Sequence, residues 1–341
     1  MDCKVVEARN RIGGRVLTET IEQRPELGSF DLGPTWFWPQ YEEKIAALVN
    51  DLELDTFLQY NQGAMLTERS STVTPERMML PEEAGMHSMR FHGGAKTLVD
   101  AFAAKLPEET VELNSRVKAI RMEPEEGVTV EIEKGDGEYE HLSASAVILA
   151  LPLRIAARHI EFSPGLPKAL QTEIESKPTW MAGQAKAVAV YDRPFWREEG
   201  LSGFAMSWAG PLQEIHDASP RTGAGALFGF FGMPARTRHQ LGEEEVLEQV
   251  TDQLVRLFGS RAREMETILF KDWAEDEETA TEADASPLRD FPEYGLSGDP
   301  GIWKEKVHFA GTEADPEFGG HLEGALGAAD RAVSQVVRLV K

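Results

Sequence analysis

Cysteine is nearly missing from this 341-residue sequence. The one thiol, Cys3, can make no internal disulfide, and nothing points to an oxidising compartment. Basic residues are also scarce: 35 Lys and Arg face 58 Asp and Glu, a formal net charge of -23. Phosphate contacts need a basic face, so nucleic-acid binding is excluded. No run approaches the ~18 consecutive apolar residues of a membrane helix. The opening MDCKVVEARNR lacks the apolar segment of a secretory signal. The eight histidines show neither His-x-x-x-His nor Cys-rich spacing, so no metal site is expected. A cytoplasmic protein without nucleic-acid, membrane or metal partners is the simplest reading, its oligomeric state left open.

What is present suits a soluble fold. Hydrophobic residues make up 41% and charged residues 27%, and the length allows about two domains with a substantial core. The acidic runs Glu243–Glu245 and Asp276–Glu278 read as solvated surface. Their negative field would also favour a cationic small molecule such as an amine.

Strand and helix patterns alternate at both ends of the chain, which predicts an α/β core. Lys4–Ala8 and Ala146–Leu151 read as buried parallel strands. Glu42–Leu52 and a segment opening at Gly94 have helical spacing, the latter with Leu98, Val99, Phe102 and Leu106 inward. Val128–Ile132 alternates into the turn Lys134–Gly137, a hairpin. Residues 59–90 read as strands or loops, and Ala185–Tyr191 as an alternating strand. Glu243–Phe258 is an amphipathic helix, and Lys306–Gly311 a strand and turn before a helix over about 322–340.

Two strings carry chemistry. In Val5–Arg15 an acid, Glu7, ends a strand where it can accept hydrogen bonds from ribose hydroxyls. Gly13 and Gly14 let backbone approach a phosphate, which Arg15 can neutralise. In Phe309–Ala325 a strand delivers the turn Gly311-Thr312-Glu313, and Gly319-Gly320 enters a helix. That helix N-terminus is a dipole and anion site. Lys186 shares a strand face with Val188 and Val190 and is expected to point inward.

VVEARNRIGGR and VHFAGTEA…GGHLEGALGAADRA resemble the two most specific blocks of the flavin-containing amine oxidase family, which includes monoamine and polyamine oxidases. The resemblance covers nearly the whole chain. It implies a Rossmann-like FAD-binding domain, here N-terminally truncated, interleaved with an α+β substrate domain that carries an antiparallel sheet. The implied boundaries are 1–58, 92–175 and 276–341 for FAD, and 59–91 and 176–275 for substrate. It further implies cofactor contacts from Glu7, Arg9, Gly14, Arg15, Pro34, Thr35, Trp36, Val117, Gly311, Thr312, Glu313, Gly320, His321, Leu322 and Ala325. Lys186, placed as the family lysine near the flavin, together with Trp273 and His321, is implied in catalysis. The implied reaction oxidises an amine to an imine, with O2 as acceptor and H2O2 as product.

The sequence also departs from the family. No cysteine follows Trp273, so FAD would be non-covalent. The usual aromatic pair falls on Ala283 and His321, which leaves the amine undefined. The family's opening strand and G-x-G-x-x-G helix do not precede Glu7. A start placed too late or a fragment would explain this, as would a rebuilt sheet with weakened or lost FAD binding, or a second polypeptide supplying the unit. A flavin desaturase or isomerase acting on an apolar substrate, and a flavin-free remnant, stand as alternative functions.

Overall fold

Alternation decides the larger sheet. In Ala185–Tyr191 the residues Ala185, Ala187, Ala189 and Tyr191 join one core cluster, while Val188 and Val190 join another on the opposite face. The strand is buried on both sides, and Lys186 shares the face of Val188 and Val190. The structure, a computed structural model, describes residues 2–79, 87–123, 127–285, 288 and 290–339. Residues 80–86, part of the expected 59–91 substrate segment, lie outside the described residues, as does position 340 at the end of the expected last helix.

Seven strands form this sheet, in the order Thr267–Asp272, Ala185–Tyr191, Gly225–Phe231, Leu212–Asp217, Leu201–Ser207, Ala64–Glu68 and Glu76–Met79. All neighbours are antiparallel except Leu201–Ser207 with Ala64–Glu68. The helix Glu243–Phe258 covers one face with Val246, Val250, Leu254, Leu257 and Phe258. Each such side chain contributes about 1.5 to 3 kcal/mol on burial. Its first-turn acids Glu243–Glu245 are exposed, as the charge pattern implied. The opposite face packs on Leu27, Phe30 and Leu32.

The α/β part holds two parallel pairs, Val5–Val6 with Val111–Glu112 and Val147–Leu149 with Val307–Phe309. A four-stranded sheet of Tyr139–Ala144, Gly127–Lys134, Ser115–Glu123 and Glu161–Ser163 lies beside them. The expected hairpin at 134–137 joins the first two of these.

Two burial expectations are corrected. Val5 and Ile148 are 40% and 37% exposed, because among the described residues each parallel pair is only two strands wide. Phe102 and Leu106 also face out. The helix is only Lys96–Ala103, so Leu106 lies past its end, and the core cluster beneath it stops at Leu98.

The first turns of two distant helices are tied together. Glu323, 4% exposed, accepts from the backbone N–H of Lys44 (2.9 Å) and of Ile45 (2.8 Å). It thus caps helix Glu43–Asp51 from the C-terminal helix Leu322–Leu339. Glu323→Ala should cost about 1 to 3 kcal/mol, since it leaves a buried N–H of Ile45 unpaired. The midpoint of urea unfolding checks this.

Candidate active site

Ligands of open α/β sheets bind beyond the carboxyl ends of parallel strands. Here Val5–Val6 delivers Glu7 to that edge and Val307–Phe309 delivers Gly311. Glu7 accepts from the backbone N–H of Arg9 at 2.8 Å. The Arg9 guanidinium pairs with Asp276 and donates to Thr279 at 2.9 Å. The run Asp276–Glu278 is therefore not free surface. Asp276 also holds Lys271 at 3.0 Å, and Glu278 pairs with Arg116. Burial pushes the Asp276 carboxyl up, but Arg9, then Lys271 and Thr279, outweigh it and hold the group below its ordinary range. Arg9, Arg11, Leu32, Lys271 and Asp276 border an open cleft of about 560 Å³.

Arg15 turns elsewhere. Its guanidinium meets both carboxylate oxygens of Glu313 at 2.7 and 3.0 Å and donates to the Trp180 carbonyl at 3.1 Å. Glu313, wholly buried, also accepts from the Trp180 N–H at 3.2 Å. Gly320 packs on the same tryptophan: its φ is +87°, and a Cβ there would sit 2.6 Å from the indole. Thr312 accepts from the Gly320 N–H (2.9 Å) and donates to the His321 carbonyl (2.8 Å), which fixes the entry to the C-terminal helix. Leu322 and Ala325 follow on that helix, half-buried, and Val117 is half-buried on its strand.

Lys186 is 2% exposed. Its ammonium donates to the Gly33 carbonyl at 3.0 Å and to the Thr35 hydroxyl at 2.5 Å, 4.0 Å from the centre of the Phe228 ring. Burial pushes its pKa down to about 7, against the opposing pull of Asp31. Asp31 itself is pushed up by burial, although Thr18 and the Ala95 N–H donate to it. Trp273, 6% exposed, donates its indole N–H to the Leu32 carbonyl at 3.0 Å. The segment Asp31–Trp36 therefore meets both Lys186 and Trp273.

From Phe228 an aromatic row leads across to the C-terminal helix. His216 stacks between Phe204 and Phe228, with centroids 4.9 and 5.3 Å away. Trp36 meets His216 edge-on at 4.9 Å, and Trp38 lies 6.2 Å from Trp36. Trp38 is in turn 5.8 Å from the His321 ring, which Phe291 approaches edge-on. His321 is bonded through Nδ1 to Glu42 at 2.9 Å. Ala283, matched with His321 in the sequence, is exposed and stands outside these contacts.

Sequence reasoning missed His216 and Glu42. One sits in an ordinary alternating strand, and the other reads as a surface acid before a helix. The alternation Leu212–Asp217 does place His216 opposite Ile215, but no local signal marks Glu42.

The residues present fit a flavin. Gly14 is left-handed (φ +56°) with open space where a Cβ would project. Among the described residues, the buried Thr179 hydroxyl and the side-chain amide oxygen of Gln184 have no hydrogen-bond partner, and both residues line a small cavity of about 110 Å³ beside Trp180. The helix dipole at Leu322 supplies a partial positive charge nearby.

A parallel-strand edge, a glycine-flanked helix end and an antiparallel sheet carrying an inward lysine together define a two-part cofactor and substrate architecture. The same fold is found in solved amine oxidases. Cyclohexylamine oxidase from Brevibacterium oxydans IH-35A superposes with a TM-score of 0.78 at 20% identity, covering 99% of this chain and 94% of that one. Putrescine oxidase bound to putrescine gives 0.77 at 22%, covering 98% and 93%. Residues 1–70 and 51–337 match the family described as flavin containing amine oxidoreductase, and the chain belongs to it. Members of that family are FAD-dependent oxidoreductases.

AofH of Mycobacterium tuberculosis is 31% identical over 276 residues, 77% of this chain and 55% of that protein. The L-amino acid dehydrogenase of Synechocystis is 29% identical over 261 residues, 73% and 51%. Putrescine oxidase of Kocuria rosea is 28% identical over 364 residues, 70% and 74%. The chain spans about half the length of the first two of these relatives. Among the described residues, no helix is long and apolar enough to cross a membrane.

Proposed function

We propose that this chain is an FAD-dependent enzyme that oxidises the C–N bond of a small amine to an imine, with O2 as acceptor and H2O2 as product. The observation that carries the reading is Lys186, a buried lysine with a pKa near 7 at the foot of an aromatic row. An ammonium held that close to neutrality can keep or release a proton at Nζ, as acid–base chemistry at physiological pH requires. Thr35 and the Gly33 carbonyl fix where Nζ points, and the Phe228 ring lies 4.0 Å from it.

Glu7, Arg9, Gly14, Arg15, Pro34, Thr35, Trp36, Val117, Gly311, Thr312, Glu313, Gly320, His321, Leu322 and Ala325 are the residues that would hold FAD, without a covalent link. When bound, FAD supplies the two-electron acceptance. Residues 1–58, 92–175 and 276–341 form the cofactor domain in this reading, and 59–91 and 176–275 the substrate domain. The setting is cytoplasmic. The amine class is supported by relatives named for putrescine and cyclohexylamine.

The purified chain should be yellow or should take up added FAD, and should release peroxide with members of an amine panel. A colourless chain that ignores FAD overturns the reading. Dye reduction without peroxide would replace oxygen by another acceptor, in line with the dehydrogenase name of the Synechocystis relative.

A further inference from the structure

Lys186 Nζ is buried and held by the Gly33 carbonyl and the Thr35 hydroxyl, whereas the His321 ring, paired with Glu42, is partly open to an incoming molecule. Amines reach an enzyme near neutral pH as ammonium ions, and an N–H⁺ centre has no lone pair to assist loss of hydride from the adjacent carbon. Some group must take that proton before oxidation.

Glu42 is 3% exposed. One of its oxygens accepts from the Trp38 N–H at 2.7 Å, and the other faces His321 Nδ1 at 2.9 Å. A carboxylate opposite Nδ1 fixes the proton there and leaves Nε2 as the acceptor. No hydrogen bond to Nε2 is found among the described residues, and the side chain is 31% exposed. Several neighbouring charged groups are engaged elsewhere: Glu323 on the Lys44 and Ile45 N–H groups, Lys44 with Asp330, Glu313 with Arg15, and Asp315 with Arg331. Asp290 and Glu293, beside Phe291, are exposed, and Glu42 is the carboxylate in hydrogen-bond contact with the ring among the described residues. Trp38 and Phe291 flank the imidazole with π surfaces suited to an alkylammonium.

We propose that His321 accepts the proton of the incoming alkylammonium and that Glu42 is its positioning residue. The N–H bond of the ammonium breaks, its electron pair stays on nitrogen, and the proton moves to His321 Nε2. The products are a neutral amine and an imidazolium paired with the Glu42 carboxylate. This inference rests on the amine-oxidation reading above.

The test uses nitrogen-15-labelled histidine in the full chain with FAD added, titrated with tert-butylamine, which binds as an amine but has no α-hydrogen to lose. The His321 ring signal should move to the imidazolium position. It should not move with tetramethylammonium, which has no proton to give. In Glu42→Gln the same titration should leave the ring largely neutral, because the opposing charge is gone.

In turnover, His321→Phe keeps a flanking ring but should lower kcat/KM by about 100-fold near neutral pH. That deficit should close toward about pH 10, where the free amine is abundant in solution. Binding of tert-butylamine with His321 still neutral, no amine binding at all, or a kcat/KM deficit that ignores pH each overturns the proposal. Flavin uptake is read separately by absorbance. A chain that takes up no flavin sinks the oxidase reading and this inference with it, whereas a chain that takes up flavin and binds the amine with His321 still neutral sinks this inference alone.

Discussion

Lys186→Met is expected to lower turnover at least 100-fold, and also to change how stability depends on pH. In the wild-type chain the buried lysine titrates at about 7, against about 10.4 in an unfolded chain. Between those values the unfolded state carries a proton that the native state lacks, so stability rises with pH. The full benefit is present above the unfolded pKa and is lost as pH falls through the folded one. That swing is on the order of 4 kcal/mol. Methionine has similar length and no charge, so the variant should show almost none of it. It gives up the hydrogen bonds to the Gly33 carbonyl and Thr35 hydroxyl, a loss of about 1 to 3 kcal/mol. Near pH 6 the variant should therefore be as stable as the wild type or more so, and near pH 10 less stable. Urea midpoints across that range would show two curves that cross. Parallel curves would mean that Lys186 is not buried as a titrating group, and unchanged turnover would remove it from the chemistry.

That Lys186 faces inward was legible in the sequence, because period two fixes which residues share a strand face and Val188 and Val190 are apolar. The helix Glu243–Phe258 was legible to its ends for a similar reason: glycines bracket it, and Val246, Val250, Leu254 and Leu257 recur at helical spacing on its buried face. The two parallel strands were recognised but their burial was overestimated. An apolar run reports what could be covered, whereas actual burial depends on how many strands lie alongside. Glu42 shows the opposite failure. Its partner is 279 residues away in sequence, and an acid before a helix looks the same whether it meets water or a histidine. Asp276 misled in the same way, since its cations come from Arg9 and Lys271. Local patterns report backbone and face; they do not report which charges meet across the fold.

The second large effect should come from Arg238. Its guanidinium grips Asp272 with two bonds, of 2.6 and 2.7 Å, and donates to the Gly183 carbonyl at 3.1 Å. The side chains of the pair are 2% and 5% exposed. Compare Lys96 and Asp100, four residues apart on an exposed helix and equally close, but about half exposed. Water solvates that pair when it parts, so Lys96→Met should cost no more than about 0.5 kcal/mol. Arg238→Met should cost about 3 to 5 kcal/mol, because it strands the Asp272 charge at a buried position without its counter-ion. The double variant Arg238→Met with Asp272→Asn removes that charge and should recover much of the loss, although Asn must still serve the Ala274 N–H that Asp272 now caps. A double-mutant cycle in urea separates these terms. The site should feel the change as well. Arg238 anchors Gly183, three residues before Lys186, and Asp272 immediately precedes Trp273, whose indole is bonded to the Leu32 carbonyl. If the double variant regains stability but flavin uptake stays weak, the pair's larger role is to hold these two strand ends in register around Lys186.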